Sequence, residues 1–493
     1  MSLDLVIKNV RVVRPRQPAV ERLDIGVAGE RIARLAPDIP AAEARQVYDG
    51  RGWLAFPGVV DAHTHVGIYA PLAEDAASES RAAVSGGVTT LLTYFRTGQY
   101  YLHRSGPYRE LYPDVLRASE GRYWCDYGYH LAPILGAHVG EMEALAAEHG
   151  VPSFKIFMFY GGYGLHGQAG PDVQRRFLML GPDDTYDLGH FEFVLREAAR
   201  LQAERADLAE HVSVSLHCEM ADILNAYTRL VQREGRWQGL RAYHAARPPH
   251  AEGLAVWVAA YLAHETGCRR INLLHLSSRK ALEAAALAAR AFPEVDFGRE
   301  VTIGHLLLDC DRAPGAWAKV NPPIRPREDV EFLWRQLLAG EVDWVVSDHA
   351  CCAAELKVAR ERPGDIWLAK AGFGGTEYLL SGLVSEGRRR GLPLHRIAEL
   401  TAWNPARRFG LGAKGDLAPG YDADLCLLDP DRRFTVRAAD SPSAQGYTPF
   451  EGLELTGQVQ ATFLRGRLVW ERGAVVGPPT GRYLRRPLPP PAA

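Results

Sequence analysis

Apolar and polar positions alternate through the first part of the chain, in "LVIKNVRVV" and "LDIGVAGERIARLAP". A period of two predicts short strands with one buried face. Turn residues at Ala28-Gly29 and Pro37 predict that they run antiparallel. The far end repeats the pattern in "DADLCLLD" and "ATFLRGRLVWERGAVV", with Gly466 and Gly473 as turns. Two β-rich ends around a different middle predict one small β-sandwich domain assembled from residues 1–57 and 412–480. The closing "PLPPPAA" has too little apolar surface to pack, which predicts a loose tail over residues 481–493.

The middle, residues 58–411, follows another rhythm. Short, nearly continuous apolar runs alternate with long amphipathic stretches. The runs are "GVVDAHTHV", "TTLLTYF", "YGYHLAPIL", "SFKIFMFY", "SVSLHCE", "INLLHLS", "EVTIGHLLL" and "DWVVSDHA". Helical stretches such as "FEFVLREAARLQAERA" and "EGLAVWVAAYLAHET" separate several of them. Strands buried on both faces need continuous apolar character, and helical connections make them parallel. Eight such units predict an α/β fold, a (β/α)8 TIM barrel, with the β-sandwich attached.

Composition narrows the function classes. The 493 residues are 47% hydrophobic with a net charge of −2, enough for a large core and without the basic stripe that nucleic acid requires. No 18-residue apolar run exists, so no membrane span is expected. "MSLDLVIKNVRVV" lacks the pattern of a secretion signal, and a cytoplasmic enzyme is expected. The seven cysteines are odd in number, form no CxxC pair and include the neighbours Cys351 and Cys352, which fits reduced thiols.

In a barrel of this kind the chemistry sits at the C-terminal ends of the strands. His63 and His65 end the first run, His217 the fifth, His275 the sixth and Asp348 the eighth. On a strand, residues two apart point the same way, so His63 and His65 face one site. Taken singly, each of these residues also suits a strand end or a helix cap. Together, imidazoles and a carboxylate at one mouth are the donor set of a borderline divalent cation such as Zn²⁺. Lys155 lies inside the fourth run, where burial lowers a lysine's pKa. A neutral amine can take up CO₂ and become a carbamate, a two-oxygen ligand able to bridge metals ~3.5–4 Å apart. The alternative is a lysine that extends to the barrel rim.

In this order and spacing, "FPGVVDAHTHV", "SFKIFMFY", "LHCE", "LLHLSS" and "VVSDHA" resemble the amidohydrolase superfamily. The likeness is greatest to the hydantoinase/dihydropyrimidinase group of cyclic amidohydrolases, which also contains allantoinases and dihydroorotases. "RPPHAEGLAV" and "NPARRFGLGAKGDLAPGYDADLCLLDP" fit the same group. The resemblance implies two divalent metal ions, with Zn²⁺ expected. His63, His65 and Asp348 would hold one and His217 and His275 the other, with carbamylated Lys155 and a hydroxide between them. It implies Asp348 as general base and then acid, and Tyr160 as the hydroxyl that steadies the oxyanion. It also implies a small cyclic amide, imide or ureide as substrate, hydantoin or dihydropyrimidine in type, and a homo-oligomer, commonly a tetramer.

The substrate loops depart from the pattern. In "KVNPPIR", Asn321 stands where hydantoinases carry serine. Asparagine there is more like a dihydroorotase, but Gly67 stands where those enzymes carry an arginine for the substrate carboxylate, which disfavours dihydroorotate. In "AGFGGTE", Ala371 replaces the usual asparagine, so the backbone of Gly372 and Phe373 is expected to meet the substrate. The loops 97–113 and 161–184 are long and aromatic. They are expected to form a lid or an oligomer contact, with Tyr100, Tyr101 and Tyr108 lining an apolar pocket. A dihydroorotase- or allantoinase-like hydrolase and a non-catalytic scaffold stand as the alternatives.

Overall fold

The computed structural model describes residues 3–162, 164 and 171–491. The chain opens with β1 (Leu3–Arg14), β2 (Gln17–Ala28), β3 (Arg31–Ala36), β4 (Ala44–Asp49) and β5 (Leu54–Pro57). Then come β6 (Val59–Thr64), β7 (Val88–Arg96), β8 (Asp126–Ala132), β9 (Ser153–Phe157), β10 (Ser213–His217), β11 (Arg270–Leu273), β12 (Asp296–Thr302) and β13 (Trp344–Val346). It closes with β14 (Leu425–Thr435), β15 (Glu454–Leu464), β16 (Arg467–Glu471) and β17 (Ala474–Val475).

The two chain ends meet at β5. It pairs parallel with β1, Val12 opposite Ala55, and antiparallel with β14, Cys426 opposite Phe56. The result is a nine-stranded mixed sheet in the order β17-β16-β15-β14-β5-β1-β2-β3, with β4 also on β1. The sheet folds over on itself. Tyr48 of β4 meets Phe463 of β15 edge-on at 5.1 Å, and its hydroxyl donates to Glu471 at 2.8 Å. The alternation in the sequence now has its cause. Leu5, Ile7, Ile25, Leu425, Leu427 and Phe463 fill the core inside this fold, whereas Val13, Phe56, Leu428 and Val459 join the barrel core.

The second sheet holds the eight expected strands in chain order, β6 to β13, each parallel to the next. It closes where Thr64 pairs with His349 and the His65 N–H donates to the His349 carbonyl at 2.7 Å. Closure places the ends of β6 and β13, and so His63, His65 and Asp348, side by side. The connecting helices follow their sequence signals. Asp187 caps the helix Leu188–Glu204 by accepting from His190 N–H at 3.1 Å. That helix buries Phe191, Val194, Leu195, Ala198 and Leu201, each large side chain contributing about 1.5–3 kcal/mol. The helix Pro249–Thr266 stops at Gly267, whose φ of 75° suits glycine.

Two expectations change. The run "EVTIGHLLL" is strand only to Thr302, whose Oγ1 accepts from His305 N–H at 3.1 Å and starts the helix Ile303–Leu307. The tail is docked along residues 481–488. Its backbone bonds Tyr127 twice, at 2.9 and 2.8 Å, and then Gly150 and Gly410 at 3.0 and 2.7 Å. Leu484 packs with Val60, Leu92, Trp344 and Phe409, and the buried Arg486 donates to the Tyr129 carbonyl. "RYLRRP" and Leu488 thus supply the donors and apolar surface that the prolines after them lack.

Candidate metal centre and substrate pocket

His63 Nε2 and His65 Nε2 lie 3.3 Å apart, and each faces Asp348 Oδ1, at 3.1 and 3.2 Å. Donors bound to Zn²⁺ at ~2.0–2.1 Å in a tetrahedron stand about 3.3 Å from one another. The three atoms therefore have the spacing of a ligand face. Asp348 reaches it from a backbone with φ of 56°, a left-handed conformation that aspartate tolerates. Beside them, the His217 and His275 rings are 4.4 Å apart, and His275 is 5.3 Å from His63.

Several of these imidazoles have their second nitrogen anchored, which fixes tautomer and ring plane. His63 Nδ1–H donates to Glu300 at 2.7 Å, His65 Nδ1–H to Tyr101 Oη at 3.0 Å and His217 Nε2–H to Glu219 at 2.7 Å. Glu300 also accepts from the His275 backbone N–H at 3.1 Å and from Trp344 Nε1 at 2.9 Å, so one carboxylate braces both halves of the cluster. Burial holds His63 and His275 well below the ordinary histidine range and His217 at about 4. Neutral imidazole is the form that binds metal. Burial would raise the Glu219 carboxyl, but Arg247 outweighs it and holds it at about 2.

Lys155 sits in the middle of β9, fully buried, its Nζ over the rings of Tyr94 (4.4 Å) and Phe157 (4.7 Å). Among the described residues Nζ has no hydrogen-bond partner, so the reading of a lysine that extends to the rim does not hold. Burial lowers the amine to about 7. An orphaned, readily neutral amine lining the same pocket as His65, His217 and His275 is the group a carbamate would grow from. The donor set thus fits a dinuclear centre.

One pocket is lined by Lys155, His217, His275 and Asp348, and also by Tyr160, Asn321 and Gly372. Tyr160 ends the turn Met158–Tyr160, packed on Phe157 (4.9 Å), Phe159 (4.3 Å) and Phe177 (4.9 Å). Burial pushes its hydroxyl up to about 12, so it remains a donor. Gly372 lines the pocket, but its N–H donates to the Lys319 carbonyl at 3.0 Å and its carbonyl accepts from Lys357 Nζ at 2.7 Å. Phe373 is not on the pocket wall. Its carbonyl accepts from Ala350 N–H at 3.1 Å and its ring faces Phe450 at 6.0 Å. The backbone contact expected from these two residues is therefore already used at the Gly372 N–H and absent from the wall at Phe373.

Of the three loop tyrosines, Tyr101 lines the pocket and Tyr100 faces Tyr69 and Phe177, at 5.5 and 6.1 Å. Tyr108 turns inward, donating to the Ala132 carbonyl at 2.7 Å against His138. In the second long loop the helix Pro171–Leu178 covers Tyr160, with Gln174 donating to the Tyr160 carbonyl at 2.6 Å. Residues 163 and 165–170, on which part of the lid expectation rests, lie outside the described residues.

Sequence reasoning missed Glu300, Glu219, Arg247 and Lys357. Glu300 gave no such signal as Lys155 does, since it only opens the run "EVTIGHLLL", next to Arg299. A second group of ligand-type side chains, Asp75, Glu79 and Cys351, is also buried. There Glu79 bonds His349 (2.7 Å) and Ser443 (2.6 Å), and Asp75 accepts from the Gly67 N–H, so the group braces the segment that carries Asp348.

Comparison with known proteins agrees with this geometry. A profile described as the amidohydrolase family matches residues 324–469. The allantoinase of Rubrobacter xylanophilus is 36% identical over 489 residues, 98% of each chain. That of Deinococcus radiodurans is 33% identical over 498 residues, covering 98% of this chain and 99% of its own. Among solved structures, the dihydropyrimidinase of Brevibacillus agri superposes with a TM-score of 0.83 at 25% identity, over 98% of both chains. A D-hydantoinase from Thermus sp. gives 0.81 at 28%, covering 98% of this chain and 99% of its own.

Proposed function

The chain belongs to the amidohydrolase family, as a hydrolase of cyclic-amide C–N bonds, and on that premise we propose that its substrate is allantoin. The observation that carries the chemistry is the ligand triangle of His63, His65 and Asp348 beside an unpartnered Lys155 amine. Whole-length likeness to allantoinases favours a hydantoin ring bearing a ureido group over a plain hydantoin or dihydropyrimidine. Dihydroorotate is disfavoured on local grounds. Gly67 has φ of 88°, and a side chain there would come within 2.9 Å of Leu72, so no arginine fits to grip a carboxylate.

In this reading His63, His65 and Asp348 would hold one divalent ion and His217 and His275 the other, and Lys155, as its carbamate, would be a ligand to both. Zn²⁺ is the metal the donor set suits best. When bound, the ions lower the pKa of water toward 7 and polarise the scissile carbonyl. Asp348 takes the proton of the attacking water and returns it to the departing ring nitrogen. The Tyr160 hydroxyl donates to the oxygen that becomes negative. Glu300 and Glu219 hold the imidazoles in place throughout.

The same reading includes assembly and location. Leu254, Trp257 and Tyr261 share one exposed face of the helix Pro249–Thr266, which supports a homo-oligomer, proposed as a tetramer. Seven buried, unpaired cysteines support a reducing, cytoplasmic setting. The test is direct. Zinc-loaded protein should convert allantoin to allantoate and bind two metals per chain, and Asp348→Asn should stay folded and lose turnover. Opening of hydantoin or dihydrouracil but not allantoin overturns the substrate assignment.

A further inference from the structure

Asp75 and Glu79 stand one turn apart on the helix Leu72–Ser85, so their carboxylates share a face, and that face is buried. Cys351 reaches the same place from the loop after β13, three residues beyond Asp348. A ligand atom from each of the three lies within 4.8 Å of the other two. All three side chains are buried, and none lines the pocket that holds Lys155 and Asp348.

The hydrogen bonds around this cluster leave it short of positive charge. Glu79 Oε2 accepts from His349 Nε2–H at 2.7 Å and from Ser443 at 2.6 Å, and Oε1 accepts from the Ala444 N–H at 3.0 Å. Asp75 Oδ2 accepts from the Gly67 N–H. Asp75 is 1% exposed, and its Oδ1 has no hydrogen-bond partner among the described residues. Among those residues the one ion pair at the cluster is that of Glu79 with His349. A buried carboxylate oxygen without a donor is costly, and two carboxylates this close repel. Burial, then the Glu79 charge, accordingly push the Asp75 carboxyl up. Burial, then the two carboxylates it faces, push the Cys351 thiol up. We propose that Asp75, Glu79 and Cys351 form a further metal site, separate from the pocket, that holds a Zn²⁺-type ion in a structural role. A thiolate with two carboxylates suits a borderline divalent cation and disfavours Mg²⁺ and Ca²⁺, which take oxygen ligands. The ion supplies the charge that Asp75 Oδ1 lacks. Its binding forms a metal–thiolate bond and releases the thiol proton to solvent, with no change of oxidation state. It ties Cys351, and so the stretch that begins at Asp348, to the helix Leu72–Ser85, beside the bond from His349 to Glu79.

The test is spectroscopic, so it does not depend on which ring the pocket opens. The full chain is loaded with Co²⁺, its metal content is measured, and its absorption spectrum is recorded. Besides the ions counted for the catalytic centre, wild type should take up one more per chain and show a thiolate-to-cobalt charge-transfer band in the near ultraviolet. The imidazole, carboxylate and carbamate donors of the catalytic centre give no such band. Cys351→Ser should lose the band and that one ion, and keep the rest. Glu79→Gln, which preserves the shape of the side chain, should lose the same ion, with circular dichroism showing that both variants fold. A wild type without the band overturns the proposal, whatever the variants do. A band that survives Cys351→Ser belongs to another thiol and overturns it too. A wild type that shows the band yet opens no cyclic amide overturns only the reading of the pocket.

Discussion

Lys357 is fully buried, and its Nζ lies 2.9, 2.8 and 2.7 Å from the carbonyls of Lys319, Lys370 and Gly372. Burial lowers the ammonium to about 7. A neutral amine has two N–H groups for these three acceptors, so the protonated form is the one that satisfies them all. The side chain ties the wall at Gly372 to the strip leading to Asn321. In Lys357→Ala the Lys319 carbonyl keeps the Gly372 N–H, and the carbonyls of Lys370 and Gly372 lose the ammonium. Two such losses at about 1–3 kcal/mol each give about 2–6 kcal/mol. Relief of the lysine's own desolvation, several kcal/mol, offsets part of this. A net loosening of about 2 kcal/mol is a factor of about 30 in local opening. Hydrogen exchange at the Gly372 amide should quicken by that factor in Lys357→Ala, with a raised KM. Propylammonium, which restores the three carbons and the nitrogen removed, should slow it again. Unchanged exchange at Gly372 would refute the strap.

Lys155→Ala should lose both bound metal and turnover, whereas Lys155→Glu should keep part of each because a carboxylate can stand in for the carbamate; full activity in the alanine variant excludes a bridging role. Glu219→Gln removes the charge that anchors His217, and should weaken metal affinity about 10–100-fold by competition with a chelator; unchanged affinity would show that the anchor is dispensable. Ending the chain at residue 480 removes five backbone hydrogen bonds and the buried Arg486. At about 0.5–1.5 kcal/mol each, the bonds alone are worth about 3–8 kcal/mol, and the urea midpoint of tryptophan fluorescence should fall; an unmoved midpoint would return the segment to a loose tail.

The barrel and its candidate ligand residues were legible because both follow one-dimensional rules. A strand buried on two faces reads as an apolar run, and a ligand at its end reads as a histidine or aspartate where that run stops. His63, His65, His217, His275 and Asp348 all obey this. What was not legible depends on pairing across the closed barrel. Glu300 comes from β12, yet it braces His63 of β6 and the backbone of His275, and only closure brings them together. The backbone of Gly372 could be matched to the substrate by sequence position, but its N–H was already taken by Lys319, fifty-three residues earlier. The tail misled for the opposite reason, since its composition was judged at "PLPPPAA" while the docking surface lies just before it, at Tyr483, Leu484 and Arg486. Arg247 shows the limit most clearly. "RPPHAEGLAV" marks the family, and nothing in that stretch says that its arginine bonds a glutamate twenty-eight residues back and a tyrosine one helical turn away. Substrate choice is therefore harder to read than metal binding. Ligand type is a property of single residues, whereas the shape of the pocket wall is a property of the contacts that tie its loops together, as Lys357 ties Gly372 to Lys319.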